Sequence, residues 1–206
     1  MKKEKKILYL ASSSFSRAEL LKTAGIPYKI LLQDADELVC DWNLPLNKLV
    51  LAIAEHKMNH VIMPVDNKEG DACFVVTADT LSQSFDGKIN GKPLDRDDAK
   101  NKIKKARKGN SLCSAFCLEK RVWHGNSWKT EKRISNIVCA ELIFDIPDNM
   151  IDWYLDNSIA MKCSGAIQVE DLGQLFLKTI SGSYSTIVGL PLFELRESLT
   201  ELHFFD

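Results

Sequence analysis

Apolar and polar positions alternate along the chain with two periods, one of strands and one of helices. Ile7-Leu8-Tyr9-Leu10 is a short apolar run that predicts a buried strand. A serine-rich turn, Ala11 to Arg17, follows it, and Ala18 to Ala24 then predicts a helix ending at Gly25. Ser16 and Glu19 stand at capping-box spacing at its start. Residues 26–33 predict a second strand. Pro45 and Asn47 open a helix to about residue 62, whose stripe is Leu46, Leu49, Val50, Ile53, Ala54, Lys57 and Val61. Cys73 to Ala78 is a continuous β-prone run, as in a strand buried on both faces, and it ends at Asp79-Thr80. Leu81 to Phe85, Asp86-Gly87 and Lys88-Ile89 predict a hairpin with a type I′ turn. Asp95 is the expected cap of a charged helix to about Arg107. Residues 111–123 and 133–145 predict two long antiparallel strands joined by a polar tip near 125–127. A helix from Pro147 to Asn157, a strand over 174–181 and a C-terminal helix with Pro191 in its first turn complete the pattern. The order predicts an α/β fold: a mixed, twisted central sheet flanked by helices. It further predicts a single domain over residues 1–206 with two lobes and a cleft between them.

Composition narrows the range of partners. Lysine and arginine total 27 against 28 aspartate and glutamate in 206 residues, a net charge of −1. A binder of polymeric nucleic acid or of a membrane surface carries a broad basic excess, so neither partner is expected. The basic run Lys2, Lys3, Lys5 and Lys6 precedes an apolar segment too short for an export signal. No segment has the length of a membrane span, and the expected address is cytoplasmic. The six cysteines show no Cys-x-x-Cys pair, which favours buried free thiols over a zinc ribbon.

Several residues carry candidate chemistry. A helix start presents backbone N–H groups to an anion; Ser12, Ser13 and Ser14 would add hydroxyls and Arg17 a forked cation. The same stretch also reads as an ordinary helix cap beside a solvated arginine. Asp79 ends the apolar strand, where a carboxylate holds a divalent cation, positions a water, or merely forms a turn. Lys92 sits in a stiff Gly91-Lys92-Pro93 turn. His56 and His60 share a helix face, but Lys57-Met58-Asn59 between them lacks the glutamate of a zinc-protease helix. Trp153 and Tyr154 read as packing residues.

In combination these residues resemble the Maf-like nucleotide pyrophosphatase family, whose architecture is that of the inosine triphosphate pyrophosphatases. Four ordered blocks carry the likeness. They are Leu10-Ala11-Ser12-Ser13-Ser14-Phe15-Ser16-Arg17 through Leu21; Asp36-Glu37; Ala78-Asp79-Thr80 with Gly91-Lys92-Pro93; and Gly182 through Leu192. The resemblance implies cleavage of nucleoside triphosphates to the monophosphate and pyrophosphate, as house-cleaning of non-canonical nucleotides. The Ala-Asp-Thr block points to the dTTP/UTP type. It also implies a divalent cation (Mg²⁺, with Mn²⁺ or Co²⁺ as alternatives) and a homodimer. By position, Ser12, Ser14, Arg17, Lys57 and Gln168 would bind substrate. Asp79, Glu37 and Lys92 would be catalytic, with Glu37 and Asp79 serving the metal. The chain departs from the pattern where Phe15-Ser16 replaces Pro-Arg, Gly165 an aromatic residue, Val169 a glycine and Thr186 an asparagine. These losses motivate the alternative of a catalytically weakened nucleotide-binding protein that regulates cell division and septum formation.

Overall fold

The computed structural model describes residues 6–65 and 67–206, so Lys2, Lys3 and Lys5 of the basic run lie outside them. The strands are β1 (Leu8–Leu10), β2 (Tyr28–Ile30), β3 (Ala72–Ser84), β4 (Ile89–Asn90), β5 (Asn110–His124), β6 (Ser127–Phe144) and β7 (Leu177–Ser181). The α-helices are α1 (Phe15–Thr23), α2 (Leu46–Asn59), α3 (Arg96–Ala106), α4 (Ile151–Asn157), α5 (Tyr184–Val188) and α6 (Leu192–Glu201). All seven strands form one sheet in the order β2-β1-β3-β5-β6-β7, with β4 on β3. β1 runs parallel to β2 and β3, and the remaining pairs are antiparallel. The expected mixed sheet flanked by helices is therefore present.

Strand alternation sorts the side chains onto two faces. α2 covers one face, packing Leu49, Val50 and Ile53 on Leu81, Cys113 and Ala115. On the other, Leu8, Leu10, Phe74, Val76 and Phe116 meet Leu21 of α1 and Leu195 and Leu199 of α6. Further along that face, Ala99 and Ile103 of α3 and Tyr154 of α4 pack on Leu112, Leu142 and Phe144.

Local details depart from the pattern read in the sequence. Ser14, not Ser16, caps α1: its hydroxyl accepts from Arg17 N at 3.4 Å, while Glu19 pairs with Lys22. The helix begins early because Ser12 Oγ already accepts from Ser14 N at 3.2 Å and bends the turn there. The β3–β4 turn is not type I′. Gly87 has φ +81° and Asp86 is not among the positive-φ residues, whereas type I′ requires both. Ser84 N donates to Lys88 O and Gly87 N to Ser84 O, which makes a three-residue loop. The two-residue turn with both φ positive is instead Gly125-Asn126, at +57° and +62°. It extends the β5–β6 pairing through the polar segment 127–132, which its composition alone did not mark as strand. Pro191 is the N-cap of α6 and precedes its first turn.

The cysteine expectation is corrected in part. Cys113 and Cys139 stand directly opposite across β5–β6, with Cα atoms 4.0 Å apart, and form a disulfide. Their separation of 26 residues gives no local signal; only the strand register brings them together. Cys40, Cys73, Cys117 and Cys163 are free thiols, of which Cys73 and Cys117 are buried.

Candidate functional site at the open edge of β3

β1 pairs with β3 only as far as Leu10↔Val76, and β4 takes up the same edge of β3 from Ser82. Between these points no described strand lies beside residues 77–81 on that edge. Asp79 sits in this gap on the α2 face. Thr77 fixes the helix there, its hydroxyl donating to Ala54 O at 2.7 Å. One turn further along α2, Lys57 extends its ammonium to Asp79 Oδ1 and to Glu37 Oε1, both at 2.7 Å. Glu37 opens a single 3₁₀ turn, Glu37–Val39, whose cap Asp36 accepts from Leu38 N at 3.0 Å. The side chains of Lys57 and Asp79 are 8% and 9% exposed, and that of Glu37 45%. Asp79 Oδ2 is buried without a hydrogen-bond partner. The trio thus has one surplus negative charge and one unpaired carboxylate oxygen, an arrangement that favours a cation or a proton donor.

Arg17 enters from the other face. Its Nε donates to Gly189 O at 2.8 Å, Nη1 to Ser12 Oγ at 3.1 Å and Nη2 to Thr80 Oγ1 at 3.1 Å. Burial lowers its pKa below the ordinary value, against the opposing charges of Asp79 and Glu37. Thr80 Oγ1 is also 2.7 Å from Ser114 Oγ, which donates to Thr186 O at 2.6 Å. Gly189 has φ +125°, and a Cβ there would stand 3.2 Å from Thr80 Oγ1, so the close approach requires glycine. Arg17 therefore ties the serine turn to β3 and to the loop before α6. The sequence alone assigns no role to Thr80 or Gly189. The signal was available for Thr80, since strand alternation puts it on the face opposite Asp79.

The structure draws Ser12, Ser14, Arg17, Glu37, Lys57 and Asp79 into this one region. Lys92 and Gln168 belong to another grouping around residues 159–171. Lys92 is exposed, and its charge acts on the Cys163 thiol, whose pKa burial nonetheless raises to about 12. The buried Gln168 accepts from Ile159 N at 3.0 Å and donates to Asp171 at 3.3 Å, and its own N–H donates to the Tyr154 hydroxyl at 2.8 Å. Tyr154 is wholly buried against Phe144 and Phe176. Gly165 has φ +67°, and a Cβ added there would lie 2.8 Å from Ser82 Oγ, so this backbone leaves no room for an aromatic side chain.

The described residues contain no group of three or more histidine, cysteine, aspartate or glutamate side chains able to hold a metal. A Mg²⁺ ion needs fewer when phosphates complete its shell, typically one or two carboxylates. The unpaired Asp79 Oδ2 and the half-exposed Glu37 fit that donor set.

The model of the family described as "Maf-like protein" matches residues 7–202. The chain belongs to the Maf-like family. It is 29% identical over 197 residues to the dTTP/UTP pyrophosphatase of Fusobacterium nucleatum, covering 95% of both chains. It is 32% identical over 200 residues to the dTTP/UTP pyrophosphatase of Acetivibrio thermocellus, with 94% of each covered. The enzyme of that name from Clostridium botulinum is 30% identical over 201 residues, spanning 96% of this chain and 97% of the relative. The Maf-like match takes in all four sequence blocks, and so both the Lys57 trio and the Arg17 turn.

A residue that sequence reading passed over lies behind α2. Glu119 is fully buried and accepts from Arg121, Arg133 and Thr130. Arg121 Nη2 also donates to Met58 O at 3.1 Å, and Arg133 Nη2 to Asn59 Oδ1 at 2.8 Å. These contacts hold the last turn of α2, next to Lys57. Arg121 is its neighbour on the same face of β5, but no local motif marks Glu119, because Thr130 and Arg133 reach it only through the β5–β6 register.

Proposed function

We propose that this protein hydrolyses nucleoside triphosphates between the α- and β-phosphates, releasing a nucleoside monophosphate and pyrophosphate. The observation that carries the reading is the Lys57 ammonium held between Glu37 and Asp79 at the open edge of β3, beside the Ser12–Arg17 turn. Hydrolysis of a phosphoanhydride spreads negative charge over the transferred group and requires an oriented water. Asp79 Oδ2, buried and unpaired, is the acceptor for the proton of that water. Lys57 holds the Asp79 carboxylate in place and offers positive charge to the phosphates. Ser12 and Ser14 line the turn at the N-terminus of α1, where hydroxyls and backbone N–H groups suit an anion. Glu37 and Asp79 are the residues that would hold a divalent cation. Such a cation, when bound with the substrate, neutralises phosphate charge and lowers the pKa of a bound water.

Thymidine and uridine triphosphates are the proposed substrates, because the relatives named above are dTTP/UTP pyrophosphatases. Lys92 as a catalytic cation and Gln168 as a substrate-binding residue would act in this reading from their own grouping around residues 159–171. The two-lobed single domain, the cytoplasmic address and the homodimer remain part of the proposal. The test is pyrophosphate release from a panel of triphosphates with Mg²⁺, Mn²⁺ or Co²⁺. Asp79→Asn is expected to lower turnover by about 10²-fold or more with the far-UV spectrum unchanged. Full activity in that variant, or release of single phosphates, overturns the reading.

A second reading is favoured by one observation. Three nitrogens of Arg17 are engaged by protein acceptors, and Ser16 supplies no cation beside it. A protein that binds nucleotides but cleaves them slowly, acting in the control of division, would suit a site short of cations. Calorimetric binding of UTP without cleavage in any metal would support it, and ordinary turnover would exclude it.

A further inference from the structure

We propose that a second ligand site lies between the β3–β4 hairpin and α3, and that its ligand is an oligophosphate chain of three or more negative charges. The hairpin tip and the helix flank a half-open cleft of about 580 Å³, within the size range of small-molecule sites. Lys88 lines it from the hairpin, and Lys102, Lys104, Lys105 and Lys108 line it from α3 and the residues just beyond. One acid, Asp98, shares the lining.

The charge is concentrated there against the trend of the chain. Residues 100–108 hold six cations and no acid, in a protein of net charge −1. Like charges one helical turn apart, as at Lys100/Lys104 and Lys104/Lys108, repel. The C-terminal end of a helix dipole favours cations only within its last turn. Two cations of this segment point away from the cleft and are matched by the α4 region: Lys100 by Asp152 at 2.8 Å, and Arg107 by Asp148. Inside it, Lys102 pairs with Asp98 at 2.6 Å and Lys105 with Asp86 at 2.7 Å. Lys104 stands 3.8 Å from Asp148, and Lys88 and Lys108 make no ion pair among the described residues. Five lysines thus line a concave site in which Asp98 and Asp86 answer two of them closely and Asp148 a third only at 3.8 Å, which leaves a local excess of positive charge.

Shape and surroundings select the ligand. The Lys108 ammonium lies 4.8 Å over the ring of Phe85, which is 54% exposed at the cleft wall. An exposed ring beside a lysine suits a planar base carried on the phosphate chain. A long polyanion is disfavoured, because the cations next to the cleft, Arg96, Lys100 and Arg107, are already paired with Asp156, Asp152 and Asp148, so the excess positive charge ends with the cleft. Lysine binds phosphate as a point charge, and several on one helix face match successive phosphates of a short chain.

This cleft is distinct from the Lys57 trio. Asn90, on its wall, pairs with Ser82 and so shares the face of β3 opposite to Asp79. Phe85 follows Asp79 by six residues along a mostly extended chain, a path of roughly 20 Å.

The experiment is calorimetric titration of the full chain with inorganic tripolyphosphate in metal-free, low-salt buffer. It compares the wild type with the triple variant Lys88→Ala, Lys104→Ala, Lys108→Ala, whose side chains make no buried contact. The wild type is expected to bind tripolyphosphate, and the variant to lose about tenfold or more in affinity at one site. Its far-UV spectrum and triphosphate hydrolysis should stay unchanged, which keeps failure here separate from failure of the catalytic reading. A parallel titration with UTP on the Asp79→Asn background, with and without Phe85→Ala, tells a nucleoside-borne chain from a free one. Identical tripolyphosphate binding by the triple variant, no binding by the wild type, or binding of a single-stranded oligonucleotide in place of tripolyphosphate would each overturn the proposal.

Discussion

Lys57 and Asp79 form a buried ion pair of 2.7 Å, with Glu37 on the same ammonium at 2.7 Å. Removing one member of a buried pair strands the charge of the other, at a cost of about 3 kcal/mol. Lys57→Met is therefore expected to lower the urea midpoint and abolish turnover. Combining it with Asp79→Asn should recover part of the stability and none of the activity. Strictly additive stabilities in this double-mutant cycle would mean that the pair is not coupled.

Arg17 offers a sharper discrimination. Its guanidinium binds Gly189 O, Ser12 Oγ and Thr80 Oγ1 at once, a fork that lysine lacks. Arg17→Lys keeps the charge, yet is expected to lower both kcat and Tm. The stability loss should be about 1–2 kcal/mol, the scale of one or two lost hydrogen bonds. A raised KM with unchanged Tm would instead mean that Arg17 meets the phosphates directly.

The sheet was legible where one element decided it. The apolar run 73–78 announced β3, and the apolar stripe announced α2 with Lys57 on its buried side. The first part of β6 was hidden because Lys129, Glu131 and Lys132 carry no strand alternation; pairing with β5 imposes it. The site divided in the same way. Asp79 and Lys57 were readable from motif and position. The direction of the Arg17 fork was not, since its acceptor Gly189 lies 172 residues away. Cys113 and Cys139 escaped for the same reason: strand register is a tertiary property.

Glu119 supplies a prediction about α2. Its carboxylate holds Arg121 and Arg133, which in turn grip Met58 and Asn59. Glu119→Gln weakens both charge-assisted contacts and is expected to cost about 2 kcal/mol. Amide exchange at residues 57–60 should quicken more than in β3. Uniform acceleration across the whole sheet would show that the network does not act on the helix end.

Cys40 reports on the charge of the trio. Burial raises its thiol pKa, and the negative charges of Glu37 and Asp79 add to the rise, with Lys57 opposing. The reactive thiolate is therefore scarce at neutral pH. Alkylation by iodoacetamide is expected to quicken about tenfold per pH unit as pH rises toward that elevated pKa. Glu37→Gln removes one of the raising charges, so the rate at neutral pH should increase. Mass mapping of the Cys40 peptide reads both effects; a slower reaction in Glu37→Gln would reverse the assigned sign.

An uncovered strand edge is normally a hazard, since it offers a template on which another chain can add a strand. β3 has no partner strand on one edge between Val76 and Ser82, yet Thr77, Ala78, Asp79 and Leu81 are buried there, with a lysine drawn up to the carboxylate and an arginine bound to Thr80. An intruding strand would have to dehydrate or displace those charges before pairing. These side chains fill the place an added strand would take, so removing their charges is expected to make the chain more prone to aggregate even where it still folds.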